Sequence, residues 1–409
     1  MSSPRMTQAQ SPASLRKIRI AYIGWVRPGP GSGASLALQR HLYGGGEFEV
    51  FVGTHTPYAG LGLPERWQSL SRTKIHERAL RTRVRRVLAQ YEMLLEPVLF
   101  AKQIERAIRE FAPDVLLTVP DNTLSWAAYR LSRKLGLPLV SNFQDWWPRG
   151  QIHSLLETPY AWVRRMLETR FRKIYQESVV AFCTSEGFRR FLGPHPCAPL
   201  LYPCPADRPS PRPLSSPPRP DRPIRVVYGG TLFRYYGEKM LALAKVAAQN
   251  PSIDLRLFGG TPDWSAQDLD WAQKSGIYRG LLTNEEFRRE LLEADVLIAA
   301  MTSAPELETM MRTSFTTKFL EYCQFAKPVI IWGPEYCEPV RVALETGAGL
   351  AVTDESPELV VEKIIGLRDP NAFQIFADGA WSAATTFFDP QPIHSTFVDA
   401  IHRVIIERK

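Results

Sequence analysis

Lys318 and Glu321 are the residues whose types and spacing most directly suggest chemistry. They lie in the stretch 312–334, RTSFTTKFLEYCQFAKPVIIWGP, which predicts a short helix running into a buried strand. A lysine in the first turn of a helix stands beside free backbone N–H groups, and no carboxylate lies between Arg312 and Lys318 to balance that charge. A bound phosphate resolves the conflict, because phosphate binds at helix N-termini and to a nearby ammonium group.

Glu321 follows Lys318 by three residues and therefore lies on the same face of the predicted helix. Its carboxylate is suited to accept hydrogen bonds from a hydroxylated group such as ribose. The same spacing also fits an exposed Lys318–Glu321 ion pair worth roughly a few tenths of a kcal/mol, and spacing alone leaves both interpretations open. Ser314, Thr316 and Thr317 are predicted to cap this helix.

Length and composition indicate the architecture before any motif is considered. The 409 residues suit two domains of about 200 residues each. Hydrophobic content of 44% and charged content of 22% are ordinary for a soluble globular protein. The net charge of +8 favours anionic partners such as nucleotides, membrane surfaces or nucleic acid. The five cysteines include no CxxC pair, which is typical of reduced thiols in a cytosolic protein.

The first half of the sequence predicts a repeating unit of strand and helix, typical of a doubly wound α/β domain. After a polar lead-in at 1–16, strands are predicted at 17–24, 47–53, 114–119, 137–143 and 178–183, with helices near 123–136 and 156–176. A glycine loop at 27–35 follows the first strand, and Gly29, Gly31 and Gly33 fit either close approach of backbone to a ligand or a tight turn. The loop lacks the GxGxxG pattern, and the second strand does not end in an acidic residue, so NAD binding is disfavoured.

Residues 78–99 predict a basic amphipathic helix, because apolar residues recur at helical spacing while five arginines occupy 78–86. Such a helix either lies on an anionic membrane surface or is a core helix with a solvated basic face. Pro97 is predicted to break or kink it, and a second helix should follow over 100–111. No run of about 18 apolar residues is present, so the sequence predicts a protein that is not integral to a membrane. Together with the cysteine pattern this predicts a cytoplasmic protein, with association at the inner face of a membrane left open.

Polar residues emerge where the strands of the first domain end, the edge at which ligands of parallel sheets bind. They are His55, Asp121, Asn122, Gln144, Asp145, Thr184, Ser185 and Glu186. Each of these residue types is also common in loops and caps.

Residues 203–223 form a proline-rich stretch that predicts a semi-rigid linker between two domains. Beyond it, strands are predicted at 224–228, 253–258, 295–299, 328–332 and 350–353, and helices near 357–367, 370–385 and 392–407. A Gly229–Gly230–Thr231 turn follows the first of these strands. The triplet 268–270, Asp-Leu-Asp, is not expected to hold Mg²⁺ or Mn²⁺, because it falls in a predicted helix, where residues i and i+2 do not face each other.

Two α/β domains joined by a linker, with RTSFTTKFLEYCQFAKPVIIWGP near the end, resemble the GT-B glycosyltransferases. More closely, the chain is similar to the large retaining, nucleotide-sugar-dependent class of family 4 type. FTTKFLEYCQFAKPV is the most specific matching segment. The others are the glycine loop, QDWWP at 144–148, FCTSEGF at 182–188, YGGTLFR at 228–234 and LTNEEFRRELLEADVLI at 282–298.

The resemblance implies two Rossmann-like domains facing across a cleft. Residues 17–202 would bind the acceptor, residues 224–388 would bind the donor, and residues 389–409 would form a helix crossing back onto the first domain. The implied reaction moves a sugar from a UDP- or GDP-sugar to a glycan or lipid-linked acceptor, with retention and without a metal or other cofactor.

The resemblance also assigns roles by position. Glu321 would bond the donor ribose, Lys318 and Arg234 would neutralise the diphosphate, and Asp145 is a further candidate at the cleft. The remaining donor-binding candidates are Gly31, Gly33, Gly230, Thr231, Ser314, Thr316 and Thr317. Cationic side chains and a helix N-terminus can stabilise a departing nucleoside diphosphate.

The sequence departs from the family pattern at two positions. Many relatives carry a glutamate eight residues before the one that matches Glu321, where this chain has Thr313. Many also carry a histidine where this chain has Gln144. These departures motivate a second hypothesis, a nucleotide-binding but catalytically silent scaffold or subunit of the same fold. Nucleic-acid binding is disfavoured, because the arginine-rich helix lacks interleaved aromatic residues and any RNA-binding motif.

Overall fold

Two six-stranded parallel sheets organise the chain. The structure is a computed structural model that describes residues 16–30, 33–55, 66–69, 85–121, 123–148 and 160–407. Both faces of each sheet are buried, which explains why the strands read as nearly continuous apolar runs. In the first strand, Ile20 and Tyr22 point into one hydrophobic core while Ala21 and Ile23 point into another.

The strands of both sheets follow the Rossmann order. The first sheet has the spatial order β3-β2-β1-β4-β5-β6 and contains β1 (Ile18–Ile23), β2 (Phe48–Thr54), β3 (Arg66–Ser69), β4 (Val115–Thr118), β5 (Leu139–Phe143) and β6 (Val180–Cys183). The second has the order β12-β11-β10-β7-β8-β9 and contains β7 (Ile224–Gly229), β8 (Ile253–Phe258), β9 (Tyr278–Gly280), β10 (Val296–Ala300), β11 (Val329–Trp332) and β12 (Leu350–Val352). The order in which successive strands are added to the sheet reverses between β1 and β4 in the first sheet and between β7 and β10 in the second. Ligands of such sheets bind at these points, outside the carboxyl ends of the strands.

Helices connect these strands. The first half contains α1 (Gly33–Tyr43), α2 (Arg85–Phe111), α3 (Leu124–Leu135), α4 (Ala161–Glu177) and α5 (Glu186–Leu192). The second half contains α6 (Tyr235–Ala247), α7 (Ala266–Lys274), α8 (Asn284–Glu293), α9 (Glu308–Thr313), α10 (Thr317–Cys323), α11 (Glu338–Thr346), α12 (Pro357–Gly366), α13 (Pro370–Thr385) and α14 (Pro390–Ile406). Residues 203–223 between the two halves contain no helix or strand.

The prediction of two helices around Pro97 is wrong, because α2 is one helix of 27 residues with Pro97 inside it. A proline there removes one backbone hydrogen bond and crowds the preceding turn. Phe100, Ile104 and Ile108 in the second half of the helix are fully buried, and this apolar burial offsets that cost. Residues 78–84, the predicted start of the helix, lie outside the described residues.

Two short strands were not predicted. Their sequences are RWQS in β3 and YRG in β9, and both strands lie at the edge of a sheet. Three or four partly exposed residues give too little apolar alternation for a strand to be recognised.

The last helix, α14, lies against the first sheet. Phe397 is fully buried, and its ring centroid lies 4.6 Å from that of His41, 5.9 Å from that of Phe48 and 5.4 Å from that of Phe182. Arg208 of the linker forms an ion pair with Asp389, the residue that caps α14. The chain therefore passes between the two sheets at the linker and again before α14.

Candidate active site

A cavity lies between the two sheets at the carboxyl ends of their strands. Its lining combines residues that follow β5 and β6 in the first domain with the segment around α10 in the second. The lining residues are Gly33, Ala34, Gln144, Asp145, Thr184, Pro203, Thr231, Tyr236, Ala300, Met301, Met310, Met311, Ser314, Phe315, Thr316, Thr317 and Lys318. The cavity measures about 200 Å³, below the about 300–1,000 Å³ of typical ligand sites. The two domains are therefore close together in this structure.

Lys318 is the second residue of α10, as predicted, and the first turn of this helix contains no acidic residue. Its side chain is half-buried, and its ammonium lies 5.9 Å from the centroid of the Tyr228 ring. It makes no ion pair with any carboxylate in the described part of the chain. Burial lowers the pKa of Lys318 to about 8. The cavity is therefore lined by a cation that is not paired with a carboxylate in the ranges that the structure describes.

Gly230 provides the surface against which Lys318 packs. Its φ of +158° is one that L side chains rarely adopt, and a Cβ at this position would overlap the end of the Lys318 side chain. A glycine after β7 therefore allows the Lys318 side chain to lie across the backbone at the carboxyl end of that strand. Thr231, the next residue, lines the cavity.

Gly33 brings the first domain into contact with α10. It is the first residue of α1, and a Cβ there would overlap the hydroxyl and methyl groups of Thr317. Gly33 thus permits close approach between helices of the two domains. Gly31 and Asn122 lie outside the described residues.

The predicted capping of α10 by side chains is wrong. Thr316 occupies the N-cap position but makes no side-chain hydrogen bond there, and Thr317 is already inside the helix. The Ser314 hydroxyl instead donates to the Asp145 carboxylate at 2.6 Å, across the cleft. The polar residues before α10 therefore face the cavity and the opposite domain.

Glu321 does not pair with Lys318. Its carboxylate accepts a hydrogen bond from the Arg40 guanidinium of α1 at 2.8 Å. Arg40 also donates to the backbone carbonyl of Cys204, at 2.7 Å. Glu321 therefore makes a contact between the two domains in place of the local i, i+3 ion pair with Lys318.

Arg234 is placed less directly than Lys318. Its backbone has φ of +53°, and its N–H donates to the Asp263 carboxylate at 3.0 Å. Its guanidinium lies 5.6 Å from the centroid of the Tyr235 ring, and Arg234 is not among the residues that line the cavity. The structure therefore brings Lys318, Thr231 and Asp145 to one cavity but leaves Arg234 beside it.

The sequence analysis missed several of the lining residues, among them Met310, Met311 and Tyr236. Met310 and Met311 of α9 are buried at the cavity, and the Tyr236 hydroxyl donates to the Met311 sulfur at 3.7 Å. Burial raises the pKa of Tyr236. A pair of methionines in a short helix gives no local signal that distinguishes a cavity wall from ordinary core.

The two positions that depart from the family pattern are both buried. Thr313 is fully buried, and its hydroxyl donates to the Thr309 carbonyl at 2.8 Å, inside its own helix. Gln144 lines the cavity, and its side-chain carbonyl accepts no hydrogen bond from the described residues.

Asp121 serves the structure of the cleft edge. Its carboxylate accepts backbone N–H groups of Trp25 at 2.8 Å and of Thr123 at 2.6 Å, which ties the loop after β1 to the end of β4. Burial raises the pKa of Asp121, while these hydrogen bonds oppose that shift. Ser185 similarly caps α5 and donates to the Thr313 carbonyl of the other domain at 2.5 Å.

Within the described ranges, no three His, Cys, Asp or Glu side chains are grouped so that they could hold a metal ion. Asp268 and Asp270 lie on α7, as predicted, and pair with Lys245 and Lys274 respectively.

None of the helices in the described part of the chain is both long and apolar enough to cross a membrane.

Comparison with known proteins supports this description. Residues 31–199 match the family model described as "Glycosyl transferase 4-like domain". No curated protein matches the sequence significantly.

Solved structures with the same architecture cover 94–98% of the chain. The N-terminal domain of Candida albicans trehalose-6-phosphate phosphatase has a TM-score of 0.62 at 12% identity, covering 98% of this chain and 100% of that one. The lipopolysaccharide outer core galactosyltransferase WaaB has 0.59 at 14%, covering 94% and 99%. A glycosyltransferase from Rickettsia africae has 0.60 at 11%, covering 96% and 99%. The fold is therefore GT-B, as predicted, and at these identities the likeness shows the fold alone.

Proposed function

We propose that this GT-B chain, whose first domain matches the glycosyl transferase 4-like model, is a retaining glycosyltransferase that uses a nucleotide-sugar donor. The observation that carries the proposal is Lys318, a half-buried ammonium that lines the cavity between the two domains and pairs with no carboxylate of the described residues. A cation held in this way at a cleft is suited to an anionic ligand. The diphosphate of a UDP- or GDP-sugar supplies that charge.

In this proposal each domain contributes to the donor site. Lys318, with Arg234 beside the cavity, neutralises the diphosphate, while Glu321 one turn further along α10 accepts a hydrogen bond from the ribose. Charge grows on the diphosphate as the sugar departs, so these cations stabilise the transition state more than the ground state. A front-face reaction with retention then needs neither a metal nor a protein nucleophile. The acceptor, a glycan or lipid-linked sugar, binds on the side of Asp145 and Gln144.

The size of the cavity adds a step to the proposed reaction. At about 200 Å³ the space is smaller than typical ligand sites of about 300–1,000 Å³. The domains therefore part to admit the donor and close again around it.

A second candidate function is a nucleotide-binding scaffold without transferase activity. Thr313 favours it, because this position offers no carboxylate and its hydroxyl is already bonded within α9. A scaffold would retain the Lys318 site and would bind nucleoside diphosphates without turning over a donor.

Two measurements separate these functions. A thermal-shift screen with UDP, GDP and the other nucleoside diphosphates tests the site, since a ligand at 100 times its Kd stabilises by about 2.7 kcal/mol. Release of nucleoside diphosphate from the matching nucleotide-sugar, with and without glycan acceptors, then tests catalysis. Binding without release supports the scaffold, and no binding by any nucleoside diphosphate contradicts both.

The pKa of Lys318 leads to a pH prediction. Because burial lowers this pKa to about 8, the side chain is cationic below about pH 8 and becomes neutral above it. We expect kcat/KM for the donor to fall above about pH 8, by up to about tenfold per pH unit. Lys318→Arg keeps its charge at these pH values and should show no such fall. A wild-type profile that stays flat to pH 10 would contradict this role of the ammonium.

A lipid-linked acceptor would place the enzyme at a membrane surface, and α2 offers a face for such contact. Val87, Tyr91, Leu95 and Leu99 recur every four residues along α2, and about half or more of each side chain is exposed. In the sequence, Arg85 and Arg86 directly precede Val87. An exposed apolar stripe next to basic residues fits a surface of anionic lipid.

We therefore expect the protein to co-sediment with vesicles that contain anionic lipid and to be released by salt. Each basic residue near the surface contributes about 1 kcal/mol at low ionic strength. Tyr91→Glu combined with Leu95→Glu should weaken binding, while Ile375→Glu should not, since Ile375 is equally exposed but lies on α13 of the second domain. Co-sedimentation that ignores both lipid charge and ionic strength would refute this prediction.

A further inference from the structure

Arg40 connects three parts of the molecule. It lies in the last turn of α1, in the first domain. One of its guanidinium nitrogens is 2.8 Å from Glu321 Oε1 on α10 of the second domain and 2.7 Å from the carbonyl oxygen of Cys204, at the start of the linker. About a quarter of the Arg40 side chain and a third of the Glu321 side chain are exposed, so the contact is largely withdrawn from solvent.

The geometry of the contact leaves half of the Glu321 carboxylate available. A carboxylate offers two oxygens, and Arg40 bonds only to Oε1. None of the described residues donates a hydrogen bond to Oε2. A charge-assisted bond of this length restricts the rotation of a glutamate side chain, so the second oxygen is held in a fixed direction.

The segment that carries Glu321 is also tied to the linker. Gln324, three residues further along, donates from its side chain to the Ala206 carbonyl at 2.5 Å. The contacts of Arg40 and Gln324 therefore hold the end of α10 against residues 204–206. Arg40 is the member of this set that comes from the first domain, so its bond to Glu321 exists only while the domains are together.

We propose that Arg40 is a positioning residue for ribose recognition, and that it makes this recognition dependent on closure of the two domains. The inference rests on the proposed function, in which Glu321 accepts a hydrogen bond from the donor ribose. Arg40 touches neither sugar nor phosphate. It holds Oε1 so that Oε2 meets the ribose hydroxyls in one orientation, and less conformational freedom is then lost when the nucleotide binds.

The test compares nucleotides with and without the ribose hydroxyls. We would measure Kd values of UDP and GDP, each against its 2′,3′-dideoxy counterpart, for the unmodified protein and its variants. The unmodified protein should prefer the ribonucleotide that it binds by about 10–100-fold, the scale of a hydrogen bond to a charged group. Glu321→Ala should remove this preference, and Arg40→Ala should reduce it by about fivefold or more while leaving the affinity for the dideoxy nucleotide nearly unchanged.

Arg190→Ala is the matched control. Arg190 forms another ion pair between the domains, at 3.1 Å, but its partner Glu338 lies on α11 and Arg190 does not line the cavity. If the substitutions only weakened the contact between the domains, both arginine variants would lose affinity for the ribonucleotide and for the dideoxynucleotide. Arg40→Lys, which retains a positive charge, should recover part of the preference for the ribonucleotide.

Four outcomes would overturn the inference. Equal loss of affinity for ribo- and dideoxynucleotide in Arg40→Ala would mean that Arg40 only holds the domains together. Tighter binding of the ribonucleotide by Arg40→Ala would mean that Arg40 blocks Glu321. If the unmodified protein binds no nucleoside diphosphate, the proposed function fails and this role fails with it, whereas binding with an unchanged preference in Arg40→Ala removes the role of Arg40 alone.

Discussion

Replacing Lys318 with alanine is expected to lower the turnover number about 10²–10³-fold at saturating donor, the scale seen when one oxyanion-hole donor is deleted. The physical reason is the growth of negative charge on the departing diphosphate, which the ammonium meets more strongly in the transition state than in the bound substrate. Steady-state kinetics with the identified donor measure this loss. Because no carboxylate of the described chain pairs with Lys318, the substitution leaves no buried anion unpaired, and the variant should fold normally.

The control for Lys318→Ala is Lys274→Ala. Lys274 is an exposed lysine of α7 whose ion pair with Asp270 is a surface contact, so its loss should leave turnover unchanged. Lys318→Arg should retain part of the activity, since the charge is kept while the longer planar group fits Gly230 less well. A Lys318→Ala enzyme with near-normal turnover would refute the assignment of this lysine to the diphosphate.

The fold was largely accessible from the sequence because parallel strands buried on both faces must be apolar along their whole length. β7, β8 and β11 begin and end within a residue of the prediction. The edge strands β3 and β9 were missed because edges need not be apolar. The effect of Pro97 was predicted wrongly for a related reason. Local backbone chemistry disfavours a proline inside a helix. The burial of Phe100 and its neighbours keeps the helix continuous, and that burial is a property of the folded chain.

The candidate site divides in the same way. Lys318 could be recognised as a site residue from the sequence, because the repulsion between its charge and the helix N-terminus involves residues that are close together in the sequence. Arg40 could not, since its partner Glu321 is 281 residues away and neither residue has an unusual neighbourhood. Ser314 was assigned to a local cap, but in the folded chain Asp145 of the other domain is its acceptor. Contacts across the cleft therefore supply the part of the site that sequence patterns do not contain.

Glu321→Ala is expected to weaken donor binding by about 1.5–3 kcal/mol, the scale of a hydrogen bond to a charged group. The ribose is distant from the bond that breaks, so its contact contributes equally to the bound substrate and the transition state. The KM for donor should therefore rise about 10–100-fold while kcat changes little. This split is the reverse of that expected for Lys318→Ala, and measuring both variants with one donor tests the two roles together.

Glu321→Ala also removes the acceptor of Arg40, so loss of the domain contact has to be separated from loss of the ribose contact. Glu321→Gln makes this separation. The glutamine amide oxygen can still accept a hydrogen bond from one partner, but the negative charge that attracts the Arg40 guanidinium is gone. If the ribose contact dominates, a 2′,3′-dideoxy donor analogue should bind Glu321→Ala and the unmodified protein equally well. If instead the Arg40 bond mainly supports the fold, Glu321→Ala should lower the melting temperature and weaken ribo- and dideoxynucleotides alike. Unchanged KM with a lowered melting temperature would assign Glu321 to the contact between domains and remove it from the donor site.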